Sequence, residues 1–281
     1  MNRAFDALTS PTLKHLRQDW WNDAFAEFLE ETLRPKPGRR ILDVGCGNGI
    51  AEASLSRLRL SQLRLAGVDL VLERVKRALD AARGMNARVG YACADACRLP
   101  FRDGTFDSTF CVAVLQHIRD IDQTLAEFVR VTRPGGRILA VEPDNAARYW
   151  FSSHPSGVTA FEHARRFFTA VSAARGESPP SAIGPTLPAL FSSSGIEPLA
   201  VQVFPVAVSH LGSPPAAVWK ARRDVIGALV QNAEDGAVRE IGAEYLQALE
   251  QYERDAAAAG PTFVEIQNTL LFATVGQRAE G

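Results

Sequence analysis

A stretch near residue 45 combines an acidic residue with three glycines at alternate positions, a spacing that suits ligand binding by the main chain. The acid is Asp43, at the end of a short apolar run, and the glycines are Gly45, Gly47 and Gly49. A tight turn at the carboxyl end of a strand needs backbone angles that glycine adopts easily, and glycines let the main chain approach a ligand closely. The pattern predicts a buried parallel strand, this turn, and a helix that begins near Ile50.

Two classes of ligand compete for such a turn. A dinucleotide-binding fold requires G-x-G-x-x-G, in which the last glycine lets the helix pack closely on the strand. Gly45 and Gly47 fit that pattern, but Ile50 occupies the third required position and the glycine falls at Gly49. A P-loop is excluded because no Gly-Lys-Ser/Thr follows.

The string from Asp43 to Gly49 resembles motif I of the class I (Rossmann-like) S-adenosylmethionine-dependent methyltransferases, in their small-molecule, UbiE-like branch. Further segments that match this family extend to Glu142, so the resemblance covers a little over a third of the chain. It implies that S-adenosyl-L-methionine is the cofactor. The resemblance assigns cofactor binding to the turn residues Asp43, Gly45, Gly47 and Gly49.

Two further acidic residues follow predicted strands. Asp69 lies 20 residues past Gly49. In nucleotide-binding folds, an acidic residue at this spacing along the chain accepts hydrogen bonds from the ribose hydroxyls. The resemblance implies that Asp69 has this role and that Leu70 lies beside the adenine. It also implies that Asp95 and Ala96 form hydrogen bonds with the adenine amino group. The alternatives are a helix N-cap at Asp69 and a solvated loop acid at Asp95.

The segment from Phe106 to Ile118 resembles motif IV of the same family. Carried over by position, the Cys111 carbonyl would face the methionine amino group, and Gln116 and His117 would lie near the methyl group. His117 is the best-placed base, because its unperturbed pKa lets it accept a proton near neutrality. A purely structural hydrogen bond is the alternative for His117.

The residues after the fifth strand supply more candidates for the acceptor side. The stretch 143–155 is predicted to be a loop on the ligand-bearing edge, where it would form either an acceptor wall or an ordinary surface loop. The further candidate catalytic residues are Tyr149 and His154, with Glu142 and His163 behind them.

The alternation of strand and helix patterns predicts an α/β fold with a doubly wound, mostly parallel sheet and helices on both faces. The resemblance raises the number of strands to seven, with the last one antiparallel. The capping pattern predicts a helix that begins at Ser10-Pro11. The resemblance implies a helical lid over 1–38 and an S-adenosylmethionine-binding core over 39–145. Residues 146–281 would supply cap helices and the last two strands.

The composition limits the classes of binding partner that we expect. The 281 residues are 46% hydrophobic and 22% charged with a net charge of −1, which is ordinary for a globular protein and implies no general attraction to nucleic acid or to anionic membranes. No apolar window has the length of a membrane span, so we expect a soluble, cytoplasmic protein. The four cysteines form no C-x-x-C pair, which predicts reduced, buried thiols and no metal site.

The resemblance therefore implies methyl transfer from S-adenosylmethionine to a nitrogen or oxygen, or to a sulfur or carbon, of a small-molecule acceptor. The first alternative is a nucleotide-binding dehydrogenase-like protein, and the second is a non-catalytic S-adenosylmethionine-binding partner subunit. The oligomeric state stays open, with a homodimer as one option.

Overall fold

The computed structural model describes residues 20–58, 62–85, 88–174 and 183–280, with only the main chain at 145–146. The strands in these ranges are β1 (Arg40–Val44), β2 (Arg64–Asp69), β3 (Arg88–Cys93), β4 (Phe106–Val112), β5 (Thr132–Ser152), β6 (Ile196–Leu211) and β7 (Val264–Arg278). The α-helices are α1 (Asp23–Leu33), α2 (Ile50–Ser56), α3 (Leu72–Ala82), α4 (Ile121–Val131), α5 (Pro155–Ala174), α6 (Ile183–Ser193), α7 (Ala216–Gln231) and α8 (Gly236–Ala259). Two short 3₁₀ helices span Leu115–His117 and Gly260–Thr262.

The strands form one sheet in the order β3-β2-β1-β4-β5-β7-β6. The pairs β1–β2, β2–β3, β1–β4 and β4–β5 are parallel. Hydrogen bonds at both ends of β7 show that it is antiparallel to β5. The start of β7 lies beside the end of β5, where the Ser153 N–H donates to the Val264 carbonyl at 2.9 Å. Its end lies beside the start of β5, where Arg278 donates to the Thr132 carbonyl at 2.6 Å. The predicted α/β fold with a mostly parallel seven-stranded sheet is thus confirmed.

This strand order places the ligand edge. The chain goes from β1 outward to β2 and β3, then crosses back to β4 on the other side of β1. The connections after β1 and β4 therefore diverge at the carboxyl ends of these strands, which is where doubly wound sheets bind their ligands.

The fifth strand is much longer than the sequence indicates. It continues through the stretch predicted to be a loop and ends at Ser152, so the loop prediction for 143–155 was wrong. The proline and polar residues at 143–145 are typical of a turn, but Tyr149, Trp150 and Phe151 follow them. Aromatic residues are enriched in strands, which explains how the strand continues.

The described residues divide into two compact units. The sheet unit contains 21–144, 183–204 and 271–280, and its core packs strand residues such as Leu42 and Ile138 against α4 and α6. The helical unit contains Trp20, 145–174 and 205–270. Its core is aromatic and is built from α5, α7 and α8, with Phe167, Trp219 and Tyr252 among its buried side chains. The predicted domain boundaries stay a prediction.

Helix α1 belongs to the sheet unit. Asn22 caps its start by accepting a hydrogen bond from the Phe25 N–H at 2.9 Å. The buried face of α1 includes Phe28 and Leu33, and the Leu33 carbonyl accepts a hydrogen bond from the Ser108 hydroxyl of β4 at 3.1 Å. The predicted helix start at Ser10-Pro11 lies outside the described residues, and the lid role of this segment stays a prediction.

The four thiols are free, and they differ in exposure. Cys46 and Cys111 are buried and Cys97 is intermediate, whereas Cys93 is exposed. The expectation of burial is wrong for Cys93 because β3 is an edge strand of the sheet. Within the described ranges, no group of three or more His, Cys, Asp and Glu residues is placed to hold a metal ion. Nor does any helix there have the length and apolar character needed to cross a membrane.

Candidate functional site

The turn after β1 is closed by hydrogen bonds from its own main chain. The N–H groups of Gly45 and Cys46 both donate to the Val68 carbonyl of β2, at 2.7 and 2.9 Å. The N–H of Gly49 donates to the Cys46 carbonyl at 3.0 Å. These donors are used inside the protein, so they do not supply the set of free N–H groups that cradles a phosphate.

Two glycines of this turn are required for different reasons. Both have left-handed backbone angles, with φ of 79° at Gly45 and 56° at Gly47. A Cβ at Gly45 would overlap the side chain of Val114, so this glycine permits internal packing. A Cβ at Gly47 would meet no atom of the described residues within 4 Å, so the turn presents an open main-chain face there. A ligand can approach the main chain at Gly47 without displacing a side chain.

Asp69 lies directly beneath this face, at the end of β2. Its carboxylate accepts hydrogen bonds from the Gly47 N–H at 3.0 Å and from the Val71 N–H at 2.8 Å. The side chain is 6% exposed, and Arg74 lies 3.8 Å from one carboxylate oxygen. A carboxylate has about four lone-pair positions, so these two bonds leave acceptor capacity for a ligand. Leu70, the predicted adenine neighbour, is exposed beside it.

The loop after β3 holds the two predicted adenine residues. Asp95 accepts a hydrogen bond from the Cys97 N–H at 2.9 Å and thereby closes a turn of its own loop. Ala96 packs against the core of the sheet unit. Asp95 is exposed, so one carboxylate both shapes the loop and faces solvent.

The segment after β4 makes an abrupt turn. Cys111 is fully buried, and burial together with the nearby charge of Glu142 raises the pKa of its thiol. Ala113 has a left-handed φ of 55°, which is uncommon for a residue other than glycine. The 3₁₀ helix follows, with Gln116 half-buried and His117 exposed.

The candidate catalytic residues do not all fall in one unit. His117 belongs to the sheet unit, whereas Tyr149 and His154 belong to the helical unit. Tyr149 is 57% exposed. His154 lies near the start of α5, where its Nδ1 is 3.0 Å from the Ser156 hydroxyl and 3.4 Å from a carboxylate oxygen of Asp255. In contrast, every predicted cofactor-binding residue falls in the sheet unit.

Two buried acids, Asp43 and Glu52, flank the glycine turn in the sequence, and Glu52 is not among the predicted site residues. Asp43 and Glu52 are 5% and 1% exposed. Burial raises the pKa of the Asp43 carboxyl, and repulsion from Asp69 raises it further. Burial also raises the pKa of Glu52, with repulsion from Asp43 as the second cause. Glu52 follows the glycines by three positions on a short helix, and only its burial distinguishes it from a surface residue.

Part of the sheet unit matches a known protein family. Residues 42–140 match a family described as methyltransferase domain, and they span β1 to the first part of β5. Over these residues the chain is therefore similar to methyltransferase domains.

Part of the chain is also similar to curated methyltransferases. The chain is 36% identical over 120 residues to the methyltransferase GfsG of Streptomyces halstedii, which covers 43% of each chain. It is 31% identical over 137 residues to 27-O-demethylrifamycin SV methyltransferase of Amycolatopsis mediterranei, which covers 44% of this chain and 50% of the relative. The chain thus matches at most half the length of these two relatives.

Phosphoethanolamine N-methyltransferase 2 of Haemonchus contortus, solved with phosphomonomethylethanolamine and S-adenosylhomocysteine, has a similar fold. Its TM-score is 0.51 at 19% identity, and the match covers 92% of this chain and 53% of that one. At this identity the likeness concerns the fold alone.

S-adenosylmethionine is the cofactor of this methyltransferase family, and the site fits it in two respects. The main-chain face at Gly47 is open, and the Asp69 carboxylate beside it has acceptor capacity for hydroxyl groups. The alternative of a dinucleotide is not supported, because the N–H groups at 45, 46, 47 and 49 are already bonded within the protein. S-adenosylmethionine carries no phosphate and does not need them.

Proposed function

We propose that this protein transfers a methyl group from S-adenosylmethionine to a nucleophilic nitrogen or oxygen of a small-molecule acceptor, with sulfur or carbon as less favoured acceptor atoms. The observation that carries the proposal is the glycine turn, whose N–H groups at 45, 46, 47 and 49 are bonded internally and whose main chain is open at Gly47. When bound, the cofactor supplies a methyl group already activated by a positively charged sulfur. The protein's own part is alignment and exclusion of water.

In this proposal the strand ends hold separate parts of the cofactor. Asp69 would accept hydrogen bonds from the ribose hydroxyls through the lone pairs that Gly47 and Val71 leave available. Leu70 would hold the adenine, and Asp95 and Ala96 would hydrogen-bond to its amino group. The Cys111 carbonyl would accept a hydrogen bond from the amino group of the methionine part, and Gln116 would be near the methyl group.

The acceptor side needs a base only when the nucleophile must lose a proton. A neutral amine attacks without one, whereas a hydroxyl benefits from proton removal as the bond forms. We propose His117 as this base, and the catalytic roles of Tyr149 and His154 stay predictions. A hydroxyl acceptor agrees with the name of one relative, a 27-O-demethylrifamycin SV methyltransferase. The homodimer and the cytoplasmic location stay predictions.

A pair of glycine variants tests cofactor binding. Gly38 and Gly47 both have positive φ angles, 81° and 56°, and a Cβ added at either would meet no atom of the described residues within 4 Å. Alanine at either position should therefore cost similar stability, about 1 kcal/mol for the left-handed backbone. We expect Gly47→Ala to weaken the binding of S-adenosylhomocysteine at least tenfold in calorimetry, and Gly38→Ala to leave it unchanged. Equal affinity in both variants would contradict the proposed site.

Methyl transfer itself is tested with cofactor carrying a radiolabelled methyl group and panels of small amines and hydroxyl compounds. Transfer to any of them, lost in Gly47→Ala and kept in Gly38→Ala, supports an enzyme. Tight binding of S-adenosylhomocysteine without transfer to any acceptor would favour the non-catalytic partner subunit. Preferential binding of NAD would favour the dehydrogenase-like alternative.

A further inference from the structure

One buried carboxylate reaches from β5 to the segment that follows β4. Glu142 is 0% exposed and comes directly after Val141, which pairs with Val112 at the end of β4. Its Oε1 accepts hydrogen bonds from the N–H groups of Val114 and Leu115, both at 2.7 Å. Its Oε2 accepts a longer one from the Gln116 N–H, at 3.4 Å. Three successive main-chain donors therefore bond to a single side chain.

These donors are the ones that a helix start leaves without a partner. The 3₁₀ helix begins at Leu115, and the first N–H groups of any helix cannot bond within it. They are usually satisfied by a nearby Ser, Thr, Asp or Asn that precedes the helix. Here Val114 precedes it, and the capping group comes from 26 to 28 residues further along the chain.

The backbone just before this helix also needs support from its surroundings. Ala113 has a φ of 55°, a conformation that costs an alanine free energy unless other contacts hold it. The Ala113 N–H donates to the Val141 carbonyl at 2.8 Å, next to the carboxylate of Glu142. Strand β5 thus holds Ala113 through the main-chain carbonyl of Val141, and it holds residues 114–116 through the side chain of Glu142.

The same segment touches the glycine turn. The Val114 side chain occupies the space that a Cβ at Gly45 would need, so the two are in close contact. Any shift of the residues Ala113–His117, which we call the β4 segment, would therefore shift Val114 against the turn. The β4 segment also carries Gln116 and His117, the residues that the proposed function puts beside the methyl group.

We propose that Glu142 is a positioning residue of the proposed methyl transfer: its carboxylate fixes the β4 segment and, through Val114, the glycine turn. This inference rests on the proposed function. It replaces the role of reserve base that the sequence allowed for Glu142, because the carboxylate is fully buried and aimed at main-chain donors.

The two roles predict opposite results for Glu142→Gln. An amide keeps the oxygen that accepts both short bonds, so a positioning residue tolerates the change, whereas a base cannot, since an amide takes no proton. Glu142→Ala removes all three bonds. Thr109→Val is a control for lost stability, because it breaks a buried 2.6 Å hydrogen bond to Thr132 in the same two strands and leaves the β4 segment intact.

Hydrogen exchange of the Val114 and Leu115 amides is the first measurement, and it requires no ligand. We expect exchange at least about tenfold faster in Glu142→Ala, near wild type in Glu142→Gln, and no selective change in Thr109→Val. Unchanged exchange in Glu142→Ala would overturn the inference. If Glu142→Ala does not fold, the Glu142→Gln variant still decides between the roles.

Binding and turnover complete the test. We expect Glu142→Ala to bind S-adenosylhomocysteine about tenfold more weakly, and Glu142→Gln to keep most of the affinity and of kcat with an unchanged pH profile. A kcat in Glu142→Gln as low as in Glu142→Ala, with one limb of the pH profile lost, would show a base and overturn the positioning role. Failure of the wild type to bind S-adenosylhomocysteine would instead contradict the proposed function and leave the exchange result standing.

Discussion

At the level of single residues, Glu52 is the least expected feature of the site. It lies in the first turn of α2, and its Oε1 would be 2.5 Å from a Cβ at Gly67, so the carboxylate sits against the bare main chain of β2. Neither of its oxygens accepts a hydrogen bond from another described residue. A buried carboxylate in this situation is costly when ionised. The protein therefore carries a destabilising group close to the glycine turn.

The raised pKa of Glu52 sets the sign of its effect on stability. Because the native state keeps a proton that the unfolded chain loses near pH 4.3, stability should fall as the pH rises above that value, until the folded-state pKa is passed. We expect Glu52→Gln to raise the melting temperature by roughly 2–4 °C at pH 8, corresponding to about 1 kcal/mol, and by less at pH 4. Thermal unfolding across this range measures both.

Glu73→Gln is the matched control, because Glu73 is 68% exposed on α3 and pairs with Lys76 at the surface. Its melting temperature should stay close to that of the wild type at both pH values. If Glu52→Gln were less stable than the wild type at pH 8, the prediction would be wrong. The contacts of the Glu52 carboxylate would then stabilise the fold by more than the free-energy cost of burying its charge.

At the level of elements, a helix holds the loop that carries the predicted adenine residues. Arg130 of α4 donates to the carbonyls of Leu99 and Phe101, at 3.0 and 2.7 Å, and to Asp103 at 2.9 Å. It also forms two hydrogen bonds with Glu127, whose carboxylate accepts the Leu99 N–H at 2.6 Å. The connection between β3 and β4 is thus tied to α4 at both main-chain and side-chain groups.

Removing the guanidinium should release this loop. We expect Arg130→Ala to lower the free energy of unfolding by about 2 kcal/mol, an amount that allows for the 30% exposure of Arg130. The hydrogen bonds from Arg130 lower the pKa of Glu127, so their contribution is present above pH 4.3, the ordinary value, and is lost as the pH falls through the lowered pKa. Urea unfolding at pH 7 and at pH 3 should show a smaller difference from wild type at pH 3.

The surface pair of Arg83 and Asp80 offers the comparison. Arg83, which follows the last residue of α3, is 83% exposed, and Arg83→Ala should change stability by less than about 0.5 kcal/mol. Equal losses from Arg130→Ala and Arg83→Ala would mean that the loop does not depend on the Arg130 network.

At the level of the whole chain, the helical unit has its own aromatic core and its own buried ion pair. Arg222 of α7 forms a two-pronged pair with Glu265 of β7, with one bond of 3.0 Å, and lies over the Trp219 ring at 4.7 Å. Arg222 is 15% exposed and Glu265 is 0% exposed. Burial alone would raise the pKa of Glu265, but hydrogen bonds and charge from Arg222 outweigh it and lower the pKa. Glu265 is therefore ionised inside this core.

Breaking this pair should be more harmful than removing it. Arg222→Met leaves an ionised carboxylate without its cation, and we expect a loss of about 3 kcal/mol in the free energy of unfolding. The double variant Arg222→Met, Glu265→Leu should recover most of that loss, because no buried charge remains. Chemical unfolding at pH 7 tests this, with Lys220→Met as the control on an exposed ion pair of the same helix. A double variant as unstable as Arg222→Met would contradict the reasoning.

The glycine turn and the strand ends around it were predictable because their signals are local. A glycine turn after an apolar run, and acids at the ends of successive strands, fix backbone geometry and sheet edge within short windows. The loop predicted after Glu142 failed because Pro143 and its polar neighbours outweighed the aromatic residues that follow. The roles of Glu52 and Glu142 were not predictable, since burial and partners 26 to 28 residues away leave no trace in the local pattern.

The sequence by itself determined the fold class, the methyltransferase resemblance and the strand ends on which the cofactor residues fall, because hydrophobic periodicity and glycine spacing act over a few residues. Only the tertiary structure decided that the N–H groups at 45, 46, 47 and 49 are bonded internally. It also decided that the main chain is open at Gly47 but packed against Val114 at Gly45, and that Glu142 is bonded to the β4 segment. These facts depend on which distant atoms the folded sheet brings within hydrogen-bonding distance, and adjacent residues do not encode that.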